Sequence, residues 1–85
     1  MNDRPNPFIR LDPNDNVVIA RVNVEAGALA PSEGVAAREA VPAGHKIAAR
    51  FIAKGGAVLK YNTVIGYATE DIEPGTRMHL SLIHI

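Results

Sequence analysis

An all-β domain of short strands joined by tight glycine turns is what this sequence predicts, on three observations. Gly and Pro interrupt the chain at short intervals, as they do between the strands of compact β domains. No segment keeps apolar residues at the helical period for more than about ten residues. One four-residue template also occurs four times: Val24-Glu25-Ala26-Gly27, Val41-Pro42-Ala43-Gly44, Ile52-Ala53-Lys54-Gly55 and Ile72-Glu73-Pro74-Gly75. In each copy a β-branched anchor is followed by two variable residues and a glycine. The physical reading is a turn in which the anchor is buried and the next two residues make the corner. Gly27, Gly44, Gly55 and Gly75 then take the positive φ that a Cβ would penalise. The anchors are 17, 11 and 20 residues apart, too irregular for a solenoid, so the template reads as one turn device reused within a small barrel-like fold.

The elements follow in order. Residues 1–7 read as a flexible tail, because Pro5 and Pro7 interrupt regular hydrogen bonding. Residues 8–85 make a single domain. Phe8 to Leu11 pairs as a short strand, and Leu11 to Asn16 is a turn built on Asp-Pro, Asn and Asp. Asn16 to Val22 is the clearest strand, β-branched and too short for a typical helix. Gly27 to Gly34 is linker-like. Val35 to Arg38 is read as a strand, since Pro42 and Gly44 would stop a helix within two turns. Ile47, Val58 and Met78 follow three of the template copies and re-enter the core. The ending Met78 to Ile85 is a final strand carrying His84 on a polar face; it is apolar to its end, and an exposed edge of that kind calls for a cover.

Composition narrows the function classes. A chain of 85 residues supports one domain that buries only about 60 % of its unfolded surface, which excludes a deep private cavity. Nine basic and nine acidic residues cancel with no long run of either sign, so no nucleic-acid stripe and no polybasic membrane patch is written here. The absence of cysteine excludes disulfides, thiolate metal sites and cysteine nucleophiles. With no apolar stretch of secretory-signal or membrane-spanning length, the expected location is cytoplasmic.

The template, fullest in Asp71-Ile72-Glu73-Pro74-Gly75, resembles the SAF domain, a β-clip fold. The longer run from Val35 to Gly75, with Gly44-His45-Lys46, Lys60-Tyr61 and Ile65-Gly66 in order, is similar to the N-terminal region or small subunit of the altronate and galactarate dehydratase family. A related sulfolactate sulfo-lyase small subunit shares these blocks. Three features depart from the family. Asn62 stands where it has glycine. Ser81 and Leu82 stand where its ending has histidine and asparagine. The acidic residue before the anchor survives only as Asp71, the other copies having Asn23, Ala40 and Phe51.

The resemblance implies a hydro-lyase acting on a sugar acid, in which a larger dehydratase subunit supplies most of the site. Such a reaction needs a base for the proton beside the carboxylate, a cation for the enediolate, and an acid for the leaving hydroxide. His45 and His79 are the candidate acid and base, and Lys46 and Lys60 the candidate substrate contacts. A divalent metal, iron-type by resemblance, would be held mainly by the larger chain, since no carboxylate cluster is evident here. The partners expected are that subunit and a sugar acid, and a second copy of this chain is an alternative cover for the C-terminal strand. The competing function is a non-catalytic module binding a sugar acid or a partner protein, with the histidines as structural groups and Lys46 and Lys60 as solvated strand ends. An assembly chaperone ranks third.

Overall fold

The computed structural model describes residues 6–85. Eight short strands form in chain order: β1 (Phe8–Ile9), β2 (Val17–Ala20), β3 (Leu29–Ala30), β4 (Val35–Ala36), β5 (Lys46–Ala48), β6 (Ala57–Lys60), β7 (Thr63–Ala68) and β8 (Ile83–His84). A single 3-10 turn at Leu80–Leu82 is the only helical element among the described residues. The strands make three antiparallel groups, β1-β2-β5, β3-β4 and β6-β7-β8. The fold is all-β, as its turn chemistry requires.

Strand β2 shows why the sequence around it does not alternate. Val17 and Val18 are both 1 % exposed, although successive strand side chains point to opposite faces. Val18 packs in one core with Phe8, Val24, Ala30, Val41 and Ile47. Val17 packs in a second core with Ile52, Val58, Ala68, Ile72 and Met78. Ile47 and Ala48 of β5 divide in the same way. The β2–β5 ladder is therefore a wall between two cores, and a strand buried on both faces reads as an unbroken apolar run.

Each core is closed by two copies of the template clasping one another. Val24 and Val41 exchange both backbone hydrogen bonds, as do Ile52 and Ile72, at 2.8 to 2.9 Å. Each glycine N–H then donates to the carbonyl of an alanine four residues ahead of the partner copy's anchor: Gly27 to Ala37, Gly44 to Ala20, Gly55 to Ala68 and Gly75 to Ala48. Those alanines donate in return to the residue after the glycine, respectively Ala28, His45, Gly56 and Thr76. The glycines have φ of 82 to 89°, the value of the third residue in a type II turn, and each turn closes with its own i→i+3 bond. The unit is thus Ala-x-x-x-Val/Ile-x-x-Gly, longer than the sequence template. Asn23 and Asp71, each one residue before an anchor, cap the opposite turn by accepting from Ala43 N (2.8 Å) and Lys54 N (2.9 Å). The amide thus does at Asn23 what the carboxylate does at Asp71.

Two loops differ from the sequence reading. Gly27 to Gly34 is not a linker: Leu29 and Ala30 form β3, pair with β4, and bury Ala30 completely. Alanine-rich chain carries little apolar bulk, yet Ala30 belongs to the first core with Phe8, Val18 and Ala37. The end of the chain is not one strand either. His79 lies outside any strand, the 3-10 turn intervenes, and only Ile83–His84 pairs, on the edge of β7. Of the tail, residues 1–5 lie outside the described residues, while Pro7 O accepts from Arg21 N (2.7 Å).

The Asp12–Asp15 turn holds the two halves together. The buried Asp15 carboxylate accepts from Tyr61 N and Asn62 N, both at 2.7 Å. Those two residues form the two-residue hairpin turn between β6 and β7, with φ of 55 and 57°. Tyrosine is disfavoured there, and two charge-assisted bonds offset the strain. Asn16 pairs with the β-bulge beside it, donating to Ala57 O and accepting from Leu59 N at 2.8 Å each. Arg10, just after β1, forks onto the carboxylate of Glu33 in the turn between β3 and β4.

Two predictions follow from these contacts. A Cβ at Gly75 would collide with the Ala36 carbonyl oxygen, whereas one at Gly44 meets nothing within 4 Å, although both have φ of 86°. Gly44→Ala should cost about 1 kcal/mol from backbone strain alone, and Gly75→Ala several times that, in urea unfolding. Equal costs would contradict the packing of that turn. The second concerns Glu33, whose carboxyl is held below the usual range chiefly by its hydrogen bond to Arg10, partly opposed by burial. A depressed folded value means this stabilisation is complete above the unfolded glutamate pKa, about 4.3, and fades as pH falls through the lower folded one. Thermal melts from pH 6 down to about 2.5 should show the wild type losing stability more steeply than Glu33→Gln over that acid window.

Candidate functional site

His45 is the last residue of a type II turn. Its N–H donates to Pro42 O (3.0 Å) and its carbonyl accepts from Ala20 N (2.8 Å), so the backbone is fixed on both sides while the side chain remains exposed. The chain then enters β5 at Lys46. Beside β5 runs Thr76–Met78, joined by Met78 N to Lys46 O and Ala48 N to Thr76 O, both 2.9 Å, around the antiparallel bridge of Ile47 with Arg77. Carried two residues further along both strands, that register sets His45 opposite His79. Two histidines far apart in sequence thereby reach the same groove.

The groove is open, about 470 Å³, and is lined by His45, Lys46, Arg77 and His79, with Met78 at its base and Leu80 at its rim. His79 Nε2 donates to Glu39 Oε1 at 3.0 Å. A carboxylate only accepts, so this bond leaves His79 Nδ1 with its lone pair free when the ring is neutral. Arg77 Nη2 faces His45 Nδ1 at 3.5 Å, and a guanidinium only donates, so neutral His45 carries its proton on Nε2. Arg77 Nη1 stands 3.6 Å from the same Glu39 oxygen. One glutamate thus orients an imidazole and faces a guanidinium.

Lys46 is half-buried, and its ammonium is pushed below the ordinary lysine range first by that burial and then by the nearby charge of Lys60. Lys60 itself ends β6 and does not line the groove. Of the residues singled out from sequence, His45, Lys46 and His79 come together, and Lys60 reaches the group only through its charge. Gly44 supports the turn that carries His45, and Gly75 the turn that leads to Arg77; Gly27 and Gly55 belong to the far ends of the clasps. Ser81 offers its carbonyl to Thr69 Oγ1 (2.8 Å), and Leu82 packs against the second core. His84 is exposed on β8, away from the groove.

Arg77 and Glu39 were not evident from sequence. Arg77 had a usable signal, since it lies two residues before His79 on an extended segment and so shares its face. Glu39 had none, because its partner is 40 residues away. Among the described residues no three His, Asp or Glu side chains converge as a metal site, and the His79–Glu39 pair has the Arg77 cation against it. The described residues therefore do not by themselves fit a metal ion. Among the described residues, too, no helix is long and apolar enough to cross a membrane.

Comparison with known proteins agrees with this architecture. The sequence model of the altronate/galactarate dehydratase SAF domain matches residues 6–85. The chain is 38 % identical over 74 residues to the altronate dehydratase of Escherichia coli (strain K12), a match covering 85 % of this chain and 15 % of that protein. It is 32 % identical over 75 residues to the altronate dehydratase of Bacillus subtilis (strain 168), covering 86 % and 15 %. To the galactarate dehydratase (L-threo-forming) of E. coli (strain K12) it is 35 % identical over 79 residues, covering 89 % and 15 %. The chain spans about 15 % of the length of these relatives. An all-β fold closed by four glycine turns and matched to the family over residues 6–85 belongs to the altronate/galactarate dehydratase SAF domain family.

Proposed function

We propose that this chain serves as the small subunit of a sugar-acid dehydratase of the altronate or galactarate type, forming one wall of a hydro-lyase site that a larger chain completes. The observation that carries the reading is the meeting of His45, Lys46, Arg77 and His79 in one open groove. In the reaction a base removes the proton on the carbon beside the carboxylate, and the electron pair passes into that carboxylate as an enediolate. The hydroxyl on the next carbon then leaves as water once protonated, and the enol product tautomerises to the 2-keto-3-deoxy acid. His79, oriented by Glu39, has a free Nδ1 lone pair suited to accept the first proton. His45, once protonated to the imidazolium, can give its Nε2 proton to the leaving hydroxyl and return to the neutral ring. Lys46 and Lys60 are two cations whose mutual repulsion an incoming carboxylate would relieve. The divalent, iron-type metal implied by the resemblance belongs in this reading to the larger chain.

An open groove on so small a domain cannot exclude water, so a partner must cover it. Leu80 and Ile85, 87 and 95 % exposed, are suitable apolar contacts for the larger subunit or for a second copy. The second reading, a module that binds a sugar acid without turning it over, is favoured by Ser81 and Leu82, which here serve the fold.

The test uses the assembled enzyme. His45→Ala should lower turnover by about 100-fold or more, the scale of losing a general acid or base, and leave the melting temperature of the chain unchanged because the imidazole is exposed. Full activity in a folded complex would favour the binding module. The chain alone should give no 2-keto-3-deoxy acid from altronate or galactarate, with or without divalent metal; turnover by the chain alone would refute a shared site.

A further inference from the structure

Arg77 holds donors that the fold does not use. Its Nε is buried and has no hydrogen-bond partner. Nη1 faces Glu39 Oε1 only at 3.6 Å, and that oxygen already takes the shorter bond from His79. Nη2 reaches His45 Nδ1 only at 3.5 Å. A guanidinium presents five N–H donors in a fixed plane, and leaving such donors unmatched inside a fold is costly. The side chain is nonetheless 25 % exposed, so a ligand in the groove meets the fork at its Nη end and not at the buried Nε. It also borders a second, smaller hollow beside Asn23 and Pro42, so it forms the ridge between two concavities. Its backbone is held by the bridge to Ile47, which fixes where the fork begins.

The chemistry that satisfies such a fork is a carboxylate, which takes two parallel N–H bonds from a guanidinium and none in that geometry from an ammonium. Lys46 and Lys60 supply point charges. Glu39 already sets a carboxylate oxygen on the Nη1 side of Arg77, at a distance too long for a hydrogen bond. We propose that Arg77 is the residue of this chain that grips the substrate's carboxylate, bidentately, between His45 and His79; this rests on the sugar-acid reading above. Held there, the carboxylate that becomes the enediolate sits beside both imidazoles. The cation meets the charge as it builds.

The test begins with binding to the chain alone, whose backbone amide spectrum reports its fold. Titration with galactarate should shift the Arg77 Nε–Hε resonance and the rings of His45 and His79, and galactitol, which has no carboxylate, should shift none of them. Arg77→Lys, which keeps the charge and loses the fork, should weaken the galactarate response by about tenfold or more, with an unchanged amide spectrum elsewhere. An undiminished response in Arg77→Lys or Arg77→Gln, or no response of the Arg77 resonance in the wild type, would overturn the assignment. In the assembled enzyme Arg77→Lys should raise KM for galactarate about tenfold. If His45→Ala abolishes turnover while Arg77→Lys keeps the wild-type KM, the Arg77 assignment fails and the dehydratase reading stands; if neither changes activity, both fail. If Arg77→Lys instead weakens association with the larger chain at constant KM, the carboxylate it meets belongs to that chain, and the assignment is equally overturned.

Discussion

Everything in this domain hangs on a reciprocal clasp of backbone groups. Within each pair of template copies, anchor bonds to anchor, each glycine to the other copy's alanine, and each alanine to the residue past the other's glycine, making six hydrogen bonds per pair. A small domain has little apolar area to spare for covering unpaired N–H and C=O groups, and burying them unpaired is costly. The clasp satisfies them with strands of only two to six residues. It works only if the glycine turns with positive φ and the anchor faces inward, which is why those two positions recur when the residues between them do not.

The same clasps place the site. His45 is the residue whose carbonyl completes one clasp, and Thr76 is the corresponding residue of the other. Thr76 in turn starts the segment that runs beside β5 to Arg77 and His79. The groove therefore lies where the two clasps meet along β5, with its backbone fixed by hydrogen bonds and its side chains outside both cores. Glu39, between Ala37 and Val41 of the second copy, comes to the groove by the same geometry. Rigid support under exposed polar groups is what a binding or catalytic surface needs, and here the turns that close the cores also provide it.

How much of this was legible in the sequence depended on whether a signal was local. The four turns, β2 and the burial of Ile47, Val58 and Met78 could be read because each rests on neighbouring residues or on a repeated pattern. The hairpin of β3 and β4 was hidden, since Gly, Ala, Pro and Ser over Gly27 to Gly34 look like a linker until the clasp brings Ala28 against Ala37. Asp15 was legible as a turn residue but not as the grip on Tyr61 and Asn62, 46 and 47 residues away. In the groove, His45, Lys46 and His79 could be named as candidates; that Lys60 stands outside it, and that Arg77 and Glu39 stand within it, depends on a strand register no local pattern encodes.

The C-terminal residues Ser81 and Leu82 serve the fold and not the groove. Leu82 is drawn toward the second core and the Ser81 carbonyl is tied to Thr69, so neither position offers an imidazole or amide to a ligand. The polar groups of the groove are Arg77 and His79 in this segment, and Glu39 and His45 across from them. The segment runs beside β5 in an extended register, so Arg77 and His79, two residues apart, share a face. In the reading proposed above, a site of one firmly oriented imidazole, one opposed imidazole and an unsatisfied guanidinium would bind an anion and move a proton. It cannot shield an enediolate from water, and the missing enclosure is the physical reason to look for the rest of the site on another chain.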